Sequence, residues 1–391
     1  MTVRRPTRRA AVMGAIGLLL VLTGSTAQAG WLFVLAAGVL APVGASLLTR
    51  HRLGKAEIER TVPARARIGD DVRVGITLRT ESSSLPLGKL TDDFPAFGEI
   101  AVGFDAHPAG TVAHIELVRT ARRRGVFADG GIRLSSAAPF GLARSGVRRH
   151  VASPMTVIPA WADLATFPIL EPSSSPSDVV HERARTGAGE QYMGVREYRP
   201  GDPRKFVHWR STARAGKLIV REYEHEVASR VGLVLAGPDH GEPPDSSFEM
   251  LVAAAASIGV YAIATGHPIE AVRADPDGAI EIGSPGRHEL LDWLAAARPE
   301  DVPLTGLVQH VLKRIGRRGT VVLLAPDTGA VGSSLRDAAY AVQSAGARAI
   351  VVVAAARSWV EGTATVAPDL GGRVPIRRLT RGEDLVSCLQ G

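Results

Sequence analysis

The chain has 391 residues, room for two or three domains at about 100–200 residues each. Its single cysteine, Cys388, excludes an intrachain disulfide and a cysteine-built zinc site. The formal charge is +7, but Arg4, Arg5, Arg8 and Arg9 supply four of the positives. Setting them aside leaves 42 basic against 39 acidic residues, which argues against nucleic acid as a partner. The eleven histidines show no HxxxH or HExxH spacing, so a histidine-based metal centre has no support either.

Ala10–Ala27 and Trp31–Leu48 are uncharged apolar runs of about 18 residues, each long enough to cross a bilayer as a helix. The four arginines precede the pair, and Arg50, Arg52 and Lys55 follow it. The positive-inside rule predicts a basic tail and a transmembrane hairpin over residues 1–50. Both ends face the cytoplasm and Trp31 sits at the outer interface. Ala27-Gln28-Ala29 also fits a signal-peptide cleavage site after Ala29, which would leave the second segment as the anchor. The immediate start of a second spanning segment favours the hairpin. Either way the expected location is the cell membrane, with the soluble part in the cytoplasm.

From Lys55 the apolar period becomes two. Val72, Val74, Ile76 and Leu78 share one face of a strand, and Thr111–Leu117 alternates again. Gly125–Phe127, Ile132–Leu134 and Met155–Ile158 are further short runs between turn residues. This pattern predicts a small β-sandwich over residues 55–160, with no catalytic constellation. Residues 161–190 read as a linker around the low-complexity Glu171–Ser177 stretch.

Residues 191–391 read as α/β. Buried-type strands are predicted at Val231–Ala236, Ile269–Arg273, Val321–Leu324 and Ala349–Val353. Helical spacing marks Ser246–Ala264, Arg287–Ala297, Leu304–Ile315 and Leu335–Ala345. The alternation predicts a parallel sheet with helices on both faces, whose ligands would sit beyond the strand carboxyl ends. Those ends carry Gly237-Pro238-Asp239 and Ala325-Pro326-Asp327. Asp239 and Asp327 are weak candidates for a divalent cation; turn and cap roles compete with that reading. There is no Walker A or GxGxxG motif.

Between linker and sheet lies the most polar stretch, Val195–Glu226, with eight basic and five acidic residues. Pro200-Gly201 reads as a turn, Asp202 as an N-cap and Pro203 as the first residue of a helix ending near Arg214, before Gly216. Phe206, Trp209 and Ala213 share a face of that helix and are expected to pack inward, with Arg210 beside them. Leu218–Glu226 reads as a strand with Glu222, Glu224 and Glu226 on one side. Arg196, Arg199, Arg204, Arg210 and Arg214 are nearby cations. Three uses are open: an ion-paired structural or partner-binding network, an arginine-built anion site, or carboxylate catalysis. The near-balanced charge and the lack of an oriented base favour the first.

Gly194-x-Arg196-x-Tyr198-x-x-Gly201-Asp202-x-Arg204, then Trp209, Ala213-Arg214, Arg221-Glu222 and Glu224, resembles the signature of the bacterial "domain of unknown function 58" family. Arg123-Arg124-Gly125-Val126-Phe127 and Ala138-Pro139-Phe140-Gly141-Leu142 add to the likeness, although the family usually has Asp where Ala138 stands. The resemblance implies a C-terminal domain similar to von Willebrand factor A domains, a doubly wound sheet. It also implies work beside a MoxR-type AAA+ ATPase and other membrane proteins in assembly or maturation of envelope proteins. A-type domains that bind metal carry Asp-x-Ser-x-Ser after the first strand; here Ala236–His240 stands in that place, so at most a degenerate metal site is expected. The resulting expectation is a membrane-anchored, non-enzymatic scaffold without cofactor. Its signature residues Arg196, Tyr198, Gly201, Asp202, Arg204, Trp209, Arg214, Arg221, Glu222 and Glu224 would serve a partner, or, in the alternative, an anionic substrate.

Overall fold

The computed structural model describes residues 3–49, 53–81, 84–168, 191–198, 207–224, 229–315, 319–366, 370 and 374–390. Of residues 3, 4, 191–194, 196 and 221–224 it describes the backbone alone. The chain divides into two compact units. The first comprises Met1–Ala160 with Gly241–Glu249 and Leu291–Ala297; the second comprises Trp161–His240, Met250–Leu290 and Arg298–Gly391.

In the first unit, Val3–Pro6 is a strand, β1, where a basic tail is expected from sequence. Helix α1 (Arg8–Thr26) follows, capped by the Thr7 hydroxyl, which accepts from the Ala10 N–H. Helix α2 (Gly30–Leu48) contains Pro42. Both helices are long and apolar enough to cross a membrane. Leu18, Leu19, Leu22, Val34 and Leu48 are each more than half exposed, a run of apolar surface along the two helices. The buried positions of α1 are Ala10, Gly17 and Gly24, one every seven residues. A Cβ at Gly17 would lie 2.5 Å from the Leu40 side chain. Small residues here let the two backbones approach. Gly17→Leu is therefore expected to push the helices apart at a cost of about 1–3 kcal/mol, read as faster hydrogen exchange of α1 and α2 amides in lipid nanodiscs.

The β-rich part consists of β2 (Glu57–Thr61), β3 (Arg65–Arg67), β4 (Asp71–Arg79), β5 (Gly88–Phe94), β6 (Gly98–Phe104), β7 (Val112–Thr120), β8 (Gly125–Ser136) and β9 (Ala143–Ile158). One sheet runs β1-β9-β8-β5-β6, with β3 also on β9; a second runs β2-β4-β7. Strict alternation along β4 buries Val72, Val74, Ile76 and Leu78. They share one core with Leu90, Phe94, Ile132, Leu134, Met155 and Val157 of the other sheet. The runs read separately at 125–127 and 132–134 are one strand, broken by a bulge between Phe127 and Asp129. The β5–β6 hairpin escapes the periodicity because Asp92 fills a buried position of β5, between Leu90 and Phe94, where an apolar residue is expected.

The second unit opens with β10 (Gln191–Glu197), α3 (Trp209–Ala215) and β11 (Ile219–Glu224). β10 and β11 form an antiparallel two-stranded sheet of their own. Next come β12 (Val231–Leu235) and a short hairpin assigned to the first unit, β13 (Gly241–Glu242) with β14 (Asp245–Ser246). Then follow α4 (Ser247–Ala264), β15 (Ile269–Asp275), β16 (Gly278–Gly283), α5 (Arg287–Ala295), α6 (Leu304–Ile315), β17 (Thr320–Pro326), α7 (Gly329–Ser344), β18 (Arg348–Ala354), β19 (Ile376–Leu379) and α8 (Leu385–Gln390).

The main sheet has the order β16-β15-β12-β17-β18-β19, parallel throughout except for the antiparallel edge β16. Val234, Val272, Leu323 and Val351 pack with α6 and α7 on one face. Leu233, on the opposite face, meets α4 at Gly259, where an added Cβ would stand 3.4 Å from it. Helix α4 is also long and apolar enough to span a membrane, but two thirds of it is buried in protein, as a core helix requires.

Candidate functional site

The signature segment is organised by two β-strands. In the β10–β11 register, Gly194 faces Glu222, Val195 faces Arg221 and Arg196 faces Val220, with a bulge between Tyr192 and Gly194. The Tyr198 N–H donates to Leu218 O at 2.9 Å, extending the pairing. Val207 forms a bridge to Val220, and the His208 N–H donates to Ile219 O at 2.8 Å. Val207 and His208 are thus extended, and α3 begins only at Trp209. This corrects the expected helix from Pro203. Arg199, Gly201, Asp202, Pro203, Arg204 and Phe206 lie outside the described residues, as does Glu226, and with them the expected Asp202 cap. The helix ends as expected, at Gly216 with φ +67°.

The late start also resets the helix phase. Thr212 Oγ1 accepts from the Ile219 N–H at 3.0 Å, and His208 Nδ1 lies 2.7 Å from Ser211 Oγ. These polar groups fasten α3 to β11. The opposite side, with Trp209, Arg210, Ala213 and Arg214, is left outside. Trp209, expected to pack inward, is 69% exposed. Lys217 pairs with Glu197. The paired strands bring the backbones of Arg196, Arg221, Glu222 and Glu224 into one ribbon.

The carboxyl ends of β12 and β17 are adjacent, and their polar groups are taken up by the chain itself. Gly237, at φ +147°, donates to Glu300 O at 2.9 Å; a Cβ there would strike Pro326 at 2.2 Å. Asp327 Oδ1 accepts from the Ala356 N–H at 2.9 Å and so caps the turn after β18. His240 Nε2 lies 3.3 Å from Thr328 Oγ1. Asp301 accepts from the N–H groups of Ala330 (3.1 Å) and Val331 (3.0 Å), satisfying the start of α7. Among the described residues, no three His, Cys, Asp or Glu side chains are placed to hold a metal ion. Neither Asp239 nor Asp327 belongs to such a group among the described residues. Asp301→Ala is expected to cost about 1 kcal/mol, the usual loss when first-turn N–H groups lose a capping oxygen, measured by thermal unfolding. Its partners are about thirty residues away in sequence, so no local signal reveals it.

Two charged clusters in the first unit were also hidden in the sequence. Arg60 and Asp92 form an ion pair with both side chains wholly buried, and Arg119 Nη1 lies 3.6 Å from the second Asp92 oxygen. Arg119 Nη2 donates to Phe97 O and Gly98 O at 3.0 and 2.9 Å. Burial raises the Asp92 carboxyl above its ordinary range, against the pull of Arg60 and Arg119. Burial likewise lowers the Arg119 guanidinium. The second cluster is built by Arg124, whose side chain is 4% exposed. Its Nε and Nη2 bind both oxygens of Glu249 at 2.9 and 2.8 Å. Its Nη1 reaches Leu294 O, Ala295 O and Ala297 O, the last carbonyls of α5 and the residues after it, at 2.7–2.9 Å.

Cys388 sits near Glu383, its Sγ 3.3 Å from Oε2. Burial, then the carboxylate, raises the thiol above its ordinary range. Because the thiolate is the reactive form, maleimide labelling at pH 8 is expected to be several-fold slower than that of a free cysteine peptide, and faster in Glu383→Gln.

Residues 194–357 match the family described as "Protein of unknown function DUF58". The chain carries a DUF58 domain. The match begins in β10, within the signature stretch, and ends just beyond β18. The DUF58 domain therefore includes the two-stranded ribbon, α3 and every strand of the main sheet except β19. A search of curated proteins gave no match. The Arg60–Asp92–Arg119 cluster and Arg124 lie before the matched residues, whereas Arg124's partners Glu249 and Leu294–Ala297 lie within them.

Proposed function

We propose that this chain is a membrane-anchored interaction protein without catalytic activity, held by α1 and α2 and presenting its soluble units to the cytoplasm. The observation that carries this reading is α3. It is fastened to β11 by Thr212 and His208, while Trp209 stands 69% exposed on a helix that also exposes Arg210 and Arg214. Exposing a tryptophan to water forfeits burial worth about 2 kcal/mol. Tryptophan and arginine are also the residue types enriched where partners bind most tightly.

The parallel sheet with an antiparallel edge and helices on both faces supports reading the C-terminal part as similar to von Willebrand factor A domains. Asp327, the acid that follows β17, is engaged in capping, which suits a domain that binds protein rather than metal. The partner we propose is a MoxR-type AAA+ ATPase with associated membrane proteins, acting in envelope protein assembly or maturation. Affinity capture of the tagged full chain from detergent-solubilised membranes should recover an AAA+ ATPase, and Trp209→Ala should reduce that recovery at unchanged expression. Recovery of no ATPase or membrane protein would contradict the proposal.

A further inference from the structure

The second sheet of the first unit leaves one strand half paired. The β2–β4 ladder ends with Thr61 opposite Gly75, whereas the β4–β7 ladder runs on to Asp71 opposite Thr120. Beyond Thr61 the chain departs: Arg65–Arg67 pairs with β9 in the other sheet. The first four residues of β4 thus have a strand on one side only.

The register shows which main-chain groups face the open side. Ala121 N donates to Asp70 O at 2.9 Å, and at the far end Thr80 N donates to Thr111 O at 3.4 Å. Even-numbered residues of β4 therefore aim their N–H and C=O at β7, and odd-numbered residues aim theirs the other way. At Gly75, Thr77 and Arg79 those groups face β2. At Asp71 and Arg73 they face the open side, so two N–H and two C=O groups stand in ladder geometry without a strand. The edge borders a groove of about 800 Å³ whose lining includes Thr61, Pro63, Arg65, Arg73, Gly75 and Glu116.

We propose that this edge binds an extended segment of a partner protein, added antiparallel to β4 along the line that β2 abandons. Main-chain pairing supplies the attachment, as in other strand-addition sites. The side chains supply the choice. Asp71 and Arg73 are exposed on the outer face, with Asp71 Oδ1 also accepting from Thr120 Oγ1 at 2.7 Å. Opposite charges directly across a ladder attract and like charges repel. An antiparallel segment therefore needs an acidic residue opposite Arg73 and, two residues later, a basic residue opposite Asp71. The recognised chemistry is an extended acidic–X–basic segment with β-branched neighbours.

The test uses the full chain in detergent micelles and two fluorescent threonine–valine peptides, one with a Glu-Val-Lys centre and one with Lys-Val-Glu. The first should bind saturably, and the second about tenfold more weakly, as two cross-strand charge pairs change sign. Binding should slow hydrogen exchange in the 71–75 region. Arg73→Pro removes an N–H on the open side and leaves the β7 ladder intact, so it should abolish binding while β7 amides keep their protection. Should that variant fail to fold, Arg73→Glu alters only an exposed side chain and should erase the preference for the Glu-Val-Lys peptide. Absence of saturable binding by either peptide would overturn the proposal. So would equal binding of both, or binding that survives Arg73→Pro in a folded chain.

Discussion

Asp92→Ala is expected to destabilise the first unit by about 3–5 kcal/mol, the usual cost of stripping one partner from a buried ion pair. Asp92 is the anion between two buried guanidiniums, and both side chains of its pair with Arg60 are fully enclosed. Alanine would leave Arg60 and Arg119 charged beneath Phe94 and Phe97 with no counter-ion. Their remaining bonds, to Ser153 Oγ, Gly131 O, Phe97 O and Gly98 O, satisfy donors but do not neutralise charge. Hydrogen exchange of peptides from β2, β5 and β8 measures the loss within the intact chain. Replacing Arg60, Asp92 and Arg119 together by apolar residues of similar volume should cost far less, because no charge is then stranded.

The same cluster has a pH signature of defined sign. Burial raises Asp92 above the unfolded carboxylate value. Between those two values the folded chain holds a proton that the unfolded chain has released. The contribution of Asp92 to stability therefore falls as pH rises through that window. A stability profile of Asp92→Asn should lack this component.

Arg124→Ala should cost about 3 kcal/mol or more. One side chain there pairs bidentately with Glu249 and also donates to three backbone carbonyls around the end of α5. Truncation would strand the Glu249 carboxylate, itself 13% exposed, and leave those carbonyls without their donor. Arg124→Lys should recover little, since an ammonium cannot hold the planar fork and reach the carbonyls together. The reading is the exchange rate of amides in β8 and α5. Wild-type rates in Arg124→Ala would show that water replaces the guanidinium at no cost.

What the sequence made legible was periodicity. β4 alternates strictly, and the α4, α6 and α7 stripes fall at helical spacing, so these elements were readable from residues such as Val72, Val74, Leu335 and Val342. Gly216 was readable as a helix end because only its left-handed conformation was needed. What depended on distant partners was not readable. Asp92 looks like a surface residue in a polar hairpin until β2 and β7 bring Arg60 and Arg119 to it. Arg124 looks like one of three surface arginines. Trp209 shows the same limit in the candidate site: an inward face was inferred from a helix beginning at Pro203, but Val207 is claimed by β11 and the phase follows Thr212 instead. The charges of Arg196, Arg221, Glu222 and Glu224 mark the segment as special, yet spacing alone cannot distinguish a partner site from an anion site.

The proposal that the α3 face meets a partner is tested most directly by photo-crosslinking in intact membranes. A photoreactive phenylalanine analogue would replace Trp209, and a second copy would replace Tyr340, which is 71% exposed on α7, as the control. A discrete adduct is expected from position 209, identified by mass spectrometry as an AAA+ ATPase or a membrane protein, and none from position 340. No adduct at position 209, or the same adducts from both positions, would contradict the proposal.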